Sequence, residues 1–273
     1  MAYTPMYEIW RVTVEGAPFD VALDLGYGED FPVPTHPWFF GVRIPMMGKE
    51  ENGMPTAEER ARLDAVENRI REAIKARDGV YVGRRTGLGN RDLLSYFPAR
   101  PRGLEDRIRA SIGMEMLFIS RPDPKWDGYQ QLLPGPREWR GIEDQKLIDG
   151  LLALEADPAA VHALEHHVET PIAKGAEAIE RFMEKLGLEG IKTTEGKPFV
   201  VSGVQKSALD PESILRVSWM LESKVEKARG EYVGWTADPV VGDDSPLAAV
   251  LAALGEDEDA GFDDAAFDEE ELE

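Results

Sequence analysis

Residues 161–187 read Val161-His-Ala-Leu-Glu-His-His-Val-Glu-Thr-Pro-Ile-Ala-Lys-Gly-Ala-Glu-Ala-Ile-Glu-Arg-Phe-Met-Glu-Lys-Leu-Gly187, and the way this stretch divides decides the fold. In an extended chain, Leu164, His166 and Val168 share one side, while Glu165 and His167 lie on the other. Thr170-Pro171 then offers an N-cap and a proline at the first helical position. Ile172, Ala176, Ile179, Met183 and Leu186 follow at helical spacing, and Gly187 stops the run. A helix capped at Thr170 requires the preceding residues to be extended, so the order is strand, then helix.

Working outward, residues 188–193 and 198–204 read as strands joined by a turn at Glu195-Gly-Lys. Asp210-Pro211 opens a second capped helix carrying Ile214, Val217, Leu221 and Val225, and Glu231-Tyr-Val-Gly-Trp235 closes as a strand. An apolar helix beginning at Asp144 leads in. The second half is therefore βαββαβ, the ferredoxin-like plan.

The first half repeats that plan behind an added hairpin. Tyr7-Glu-Ile-Trp-Arg-Val-Thr-Val14 alternates, turns at Glu15-Gly16 and returns through Pro18-Phe-Asp-Val-Ala-Leu-Asp-Leu25. From Trp38 the order is strand, helix, two strands, helix, strand. Thr56 and Glu59 form a capping box ahead of Leu63, Val66, Ile70 and Ile74, and Asp78-Gly79 ends that helix. The phrase Tyr-Val-Gly occurs at 81–83 and 232–234, but at different places in the plan, so it marks no sequence repeat. Residues 121–141 hold four prolines and three glycines, which argues against a long regular element. Trp126, Tyr129 and Trp139 indicate that this connector packs against a domain. The expected fold class is α+β: two tandem ferredoxin-like (βαββαβ) sandwiches. The divisions are a first domain over 1–122, a connector over 123–141, a second domain over 142–240, and a short helix with an acidic, disordered tail over 241–273.

Composition bounds the function. The 273 residues suffice for two cores, and 42% hydrophobic content without a long apolar run excludes a membrane span. The absence of cysteine excludes disulfides and thiolate metal sites, and the first residues lack an export pattern, so a cytoplasmic location is expected. Net charge is −21, and residues 256–273 hold eleven acids and no base. The remaining chain carries 31 bases against 41 acids, so the body is acidic as well. That balance repels nucleic acid and favours a basic protein partner.

Three constellations deserve weighing. His162, His166 and His167 form the only histidine cluster; on a helix, His162 and His166 at i, i+4 could share a metal, but the strand reading and the lack of a third ligand nearby leave a satisfied or surface-exposed histidine pair as the expectation. The loop Gly83-Arg-Arg-Thr-Gly-Leu-Gly-Asn-Arg91 is an ordinary hairpin, although Arg43, Arg84 and Arg85 form a weak candidate for holding an anion. No nucleophile elbow or acid–base pair stands out, so neither an enzyme nor a cofactor is expected.

The residues Leu151-Leu152, Asp157-Pro158, Leu164-Glu-His-His-Val168, Phe182, Leu186-Gly187, Ala208-Leu209 and Tyr232-Val-Gly-Trp235, followed by acids, resemble the regulator of ribonuclease E activity B (RraB-like) family over about 100 residues. The stretch Ser202-Gly-Val-Gln-Lys-Ser207 is more polar than that family's central strand. The resemblance implies a cytoplasmic, non-catalytic α+β protein that binds ribonuclease E or its degradosome scaffold and inhibits it. On this reading the candidate partner-facing residues are Glu165, His166, His167, Tyr232, Gly234 and Trp235, with Glu256, Asp257, Glu258 and Asp259 from the acidic tail. Trp10, Pro37-Trp38, Val42-Arg-Ile-Pro45, Asn52-Gly53, Tyr81-Val-Gly-Arg-Arg-Thr86, Trp126, Tyr129 and Trp139 resemble a bacterial domain family of unknown function that often precedes RraB-like domains. Two rival readings are an immunity-type module neutralising another basic protein, and an anion-sensing ligand-binding domain.

Overall fold

A computed structural model describes residues 3–28 and 31–241. The helix expected over 245–255, the acidic tail, and with it Glu256, Asp257, Glu258 and Asp259, lie outside the described residues. The chain forms two compact units, the first ending at Ile142 and the second starting at Glu143. No helix among the described residues is long and apolar enough to cross a membrane.

The first unit opens with the hairpin β1 (Tyr7–Val14) and β2 (Ala17–Asp24). Then follow β3 (Trp38–Pro45), α1 (Ala57–Lys75), β4 (Val80–Gly87), β5 (Asn90–Phe97), α2 (Leu104–Ile112) and β6 (Leu117–Pro122). The sheet order is β1-β2-β4-β5-β3-β6, with every neighbouring pair antiparallel. Counted from β3, this is the fourth-first-third-second order of the ferredoxin-like sandwich, extended past β4 by the hairpin. Leu88 and Gly89 turn β4 into β5 at φ of 48° and 72°, the paired positive angles of a two-residue hairpin loop. The Thr56 hydroxyl accepts from the Glu59 amide as the capping box requires. Leu63, Ile70 and Ile74 of α1 bury with Leu104 and Ile108 of α2 against Phe40, Ile44 and Phe97.

The opposite sheet face receives the punctuated stretch after β6. Trp126 is fully buried and stacks on Tyr96 with centroids 4.2 Å apart, while its indole N–H donates to the His36 carbonyl at 2.8 Å. Asp123 accepts from the Tyr96 hydroxyl and from the Asp127 and Gly128 amides, which pins the turn into the short helix α3 (Asp127–Gln130). Residues 123–141 thus lie inside the first unit. The expectation that no long element begins there needs correction, because α4 (Pro136–Ala153) starts at Pro136. Proline in a first helical turn removes an amide that has no partner there anyway.

The second unit contains β7 (His162–Thr170), α5 (Ala173–Leu186), β8 (Glu189–Thr194), β9 (Phe199–Ser207), α6 (Pro211–Val225) and β10 (Glu231–Thr236). Its order is β10-β7-β9-β8, again antiparallel and ferredoxin-like. Ile179 and Met183 of α5 and Val217, Leu221 and Val225 of α6 bury against Val168 and Val201. A second cluster joins Ile148 and Leu151 of α4 to Leu164, Ile214 and Trp235. The Asp210 carboxylate caps α6 through the Ser213 amide at 2.9 Å.

The cap expected at Thr170 is not the one formed. Thr170 ends β7, and its buried hydroxyl donates to the Ala228 carbonyl while accepting from the Ile172 amide. Helix α5 starts two residues later, with Ile172 in the capping position and no side-chain bond there. Both Tyr-Val-Gly phrases lie on register shifts, between Tyr81 and Gly83 in β4 and between Tyr232 and Gly234 in β10. At Gly83 a Cβ would sit 2.4 Å from the Ala22 carbonyl oxygen, so the neighbouring strand excludes any larger residue.

Candidate functional site

Strand β7 has two chemically different sides. His162, Leu164, His166, Val168 and Thr170 point under the helices and are buried. The Tyr232 hydroxyl lies 2.6 Å from His166 Nδ1, and His166 Nε2 lies 3.0 Å from the Gln205 side-chain oxygen. Gln205 donates onward to the Ser213 carbonyl. These bonds run in one consistent direction when the imidazole is neutral with its proton on Nε2. Burial lowers the His166 pKa to about 4, with the charge of His167 adding to the effect and the Gln205 bond opposing it. His162 is held by the Asp157 carbonyl through Nε2 and by the Val240 amide through Nδ1.

A second buried polar group fixes the end of β10. The Trp235 indole N–H donates to Asp144 at 3.0 Å, and the Ser218 hydroxyl donates to the other Asp144 oxygen. This ties α4, α6 and β10 together through one carboxylate.

The other side of the sheet carries Glu165, His167 and Glu169 of β7, Ser202 and Lys206 of β9, Glu189 and Lys192 of β8, and Glu231 of β10. Among the described residues no apolar cluster forms over this face. Its groups pair across strands: Glu165 with Lys192 at 2.8 Å, Lys206 with Glu189 at 2.8 Å, and His167 Nε2 with the Thr236 hydroxyl at 3.1 Å. The Lys192 ammonium and the Ser202 hydroxyl hold the Glu165 carboxyl below the usual carboxylate range. Four carboxylates against two ammoniums leave the face acidic.

The expected partner-facing set therefore divides. His166, Tyr232 and Trp235 are buried, with 0%, 6% and 3% of their surface exposed, and they support the sheet from within. Glu165 and His167 lie on the open face, and Gly234 is the small residue of the β10 bulge opposite His167. The polar run in β9 now has a reason. Ser202 serves Glu165, Gln205 serves His166, and Gly203 leaves room for Met183 and Leu188 at 3.2–3.3 Å from where its Cβ would stand.

In the first unit, Arg43 and Arg85 meet but Arg84 does not join them. Arg43 grips Asp92 with two bonds of 2.6 and 2.9 Å, and Arg85 reaches the same carboxylate at 3.1 Å. Burial opposes ionisation of Asp92, and the two guanidiniums outweigh it, so its pKa lies below the usual value. A concavity of about 620 Å³ lies beside them, lined also by Leu117, Ile119 and Arg121. Arg84 instead bonds Glu67 of α1 at 3.0 Å. An anion clasp of all three arginines is excluded by that separation, and Asp92 already occupies the space between the other two.

Sequence reasoning missed a buried ion cluster around Glu67. Its carboxylate accepts from the Tyr81 hydroxyl, Arg84 and Arg91, and Arg91 also bonds Asp64 and Thr86. Glu67 sits on the apolar face of α1, one residue after Val66 and three before Ile70, and that placement is the signal available in the sequence.

Residues 141–236 match the family model described as Regulator of ribonuclease activity B. The second unit resembles that family along most of its length. Residues 7–133 match the model of a family of unknown function (DUF695), which the first unit therefore resembles. No curated protein matches the chain. One solved structure, a crystal structure of an unknown protein from Galdieria sulphuraria, aligns with 76% of this chain and 99% of its own at 12% identity. Its TM-score of 0.20 is too low to carry an argument. Within the RraB-like domain, the matched span takes in the open acidic face and both buried polar groups, from Asp144 to Trp235.

Proposed function

We propose that this chain is a non-catalytic regulator that binds a ribonuclease of the ribonuclease E type, or its scaffold, and lowers its activity by covering a basic surface. The observation that carries the reading is the acidic sheet face opposite the buried side chains of β7 in an RraB-like domain, where Glu165, Glu169, Glu189 and Glu231 outnumber Lys192 and Lys206. A nuclease that grips RNA needs clustered cations, and an acidic face complements them. Opposed charge chiefly speeds association and selects the partner. The net charge of −21 argues against direct contact with nucleic acid and for a protein target. The expected setting is the cytoplasm, where such nucleases work.

The test combines binding and turnover. Purified chain is titrated into a ribonuclease E-type enzyme cutting a fluorescent RNA, with affinity measured separately at low and high salt. Saturable inhibition that weakens with salt is expected. A Glu165→Lys/Glu169→Lys variant is expected to bind at least tenfold more weakly and to keep its fold, since exposed pairs contribute only about 0–1 kcal/mol. Inhibition unchanged by that variant would remove the face from the account. Absence of any binding to such nucleases would remove the function itself.

A further inference from the structure

In the RraB-like domain, a concavity of about 340 Å³ lies between the start of α5 and the end of α6. Its lining is Ile172, Lys174, Gly175, Ala178, Lys224, Lys227, Ala228 and Arg229: four cations, no acid, and a floor of small and aliphatic groups. In a chain with 52 acids against 31 bases, such a lining is out of character. Among the described residues, Lys174, Lys227 and Arg229 form no ion pair, and Lys224 lies over the Phe182 ring at 5.4 Å. The first turn of α5, which has no side-chain cap, supplies part of the wall. A cationic rim around an apolar floor fits a ligand that offers carboxylates beside a bulky apolar side chain.

The chain itself contains such a ligand. Residues 256–273 carry eleven acids, no base, and Phe262, Phe267 and Leu272 at five-residue spacing, with Asp263-Asp264 and Asp268-Glu-Glu-Glu271 directly after the two aromatics. Fourteen residues separate Val241 from Glu256. At about 3.3 Å each they reach up to about 45 Å, more than the roughly 30 Å width of a 100-residue domain. We propose that this concavity binds the chain's own segment 256–273, an aromatic side chain on the floor and the neighbouring carboxylates on Lys174, Lys224, Lys227 and Arg229. The tether raises the local concentration of the segment to about millimolar, so a weak contact is enough for occupancy. The consequence is competition. A basic partner must draw the acidic segment away from the cations of its own domain, and partner affinity is set by the difference between the two contacts.

The absence of cysteine gives a clean test on the full chain. A nitroxide is attached through Ala265→Cys, and broadening of backbone amide signals is read by NMR. At about 20 mM salt, where screening is weak, amides of residues 172–178 and 224–229 are expected to broaden selectively. A Lys174→Glu/Lys227→Glu/Arg229→Glu variant is expected to lose that broadening at least fivefold, and its unchanged spectrum elsewhere reports that it is folded. Three results would overturn the proposal. One is broadening absent at these positions or indifferent to the charge reversal. Another is equal broadening in a mixture of nitroxide-bearing and isotope-labelled chains, which places the segment on a second copy. The third is a saturable shift of these amides by inorganic phosphate that leaves the nitroxide broadening unchanged, which assigns the concavity to a small oxyanion and the segment to another place. No ribonuclease enters the experiment, so its failure leaves the preceding section untouched.

Discussion

The neutral, buried state of His166 makes the stability of the RraB-like domain depend on pH in a defined window. Its pKa is about 4 in the folded protein against an ordinary 6.5, so the unfolded chain binds the proton more readily. A histidine with a lowered folded pKa contributes its full stability above pH 6.5 and loses it as pH falls towards 4. Linkage over that shift of about 2.5 units gives a loss of about 3 kcal/mol in total, of which about 2 kcal/mol falls between pH 7 and 5. Carboxylates titrate in the same range, so the effect must be isolated by difference. The comparison is between the parent chain and His166→Gln, which retains a hydrogen-bonding side chain without a proton to gain. Hydrogen exchange of peptides covering β7 and β10, followed by mass spectrometry at pH 7, 6 and 5, reads this domain alone. The parent is expected to lose about 2 kcal/mol more protection than the variant across that range. Parallel losses in the two proteins, or a directly measured His166 pKa near 6.5, would refute the reasoning that burial holds His166 neutral.

Other perturbations have equally definite outcomes. Arg91→Met leaves the buried Glu67 carboxylate with Arg84 as its remaining guanidinium and is expected to destabilise the first unit by about 1–3 kcal/mol, as read by urea unfolding. Asp144→Ala leaves the Trp235 indole N–H without its acceptor and the Ser218 hydroxyl with the Leu215 carbonyl, and is expected to cost about 1–3 kcal/mol, visible as faster exchange in β10 and α6. Gly83→Ala forces a Cβ against the Ala22 carbonyl and is expected to lower the unfolding midpoint of the first unit. Gly234→Ala meets no atom within 4 Å, although its φ of 125° still strains an alanine, so its cost is expected to be the smaller of the two.

The double βαββαβ plan was legible from local signals alone. The alternation of Leu164, His166 and Val168 against Glu165 and His167 placed each side chain on the correct side of β7, because a strand's period of two is set by backbone geometry. The caps at Thr56 and Asp210 were equally readable, since a side-chain oxygen one turn before an apolar stripe has few other uses. The hairpin turns, the helical stripes and the acidic excess belong to the same local class.

What required the tertiary structure was everything that depends on which distant residues meet. Nothing local distinguishes His166, which folding buries between a tyrosine 66 residues away and a glutamine 39 away, from His167 on the outer side of the sheet. Thr170 resembles a helix cap until Ala228 arrives to take its hydroxyl proton. Arg84 and Arg85 are neighbours in sequence, yet β4 sends them to opposite sides, one to Glu67 and the other to Asp92. Secondary structure follows from interactions within a few residues, whereas the protonation state and exposure of a functional group follow from partners brought in by folding. The chain thus settles its own architecture locally and leaves its chemistry to long-range contacts.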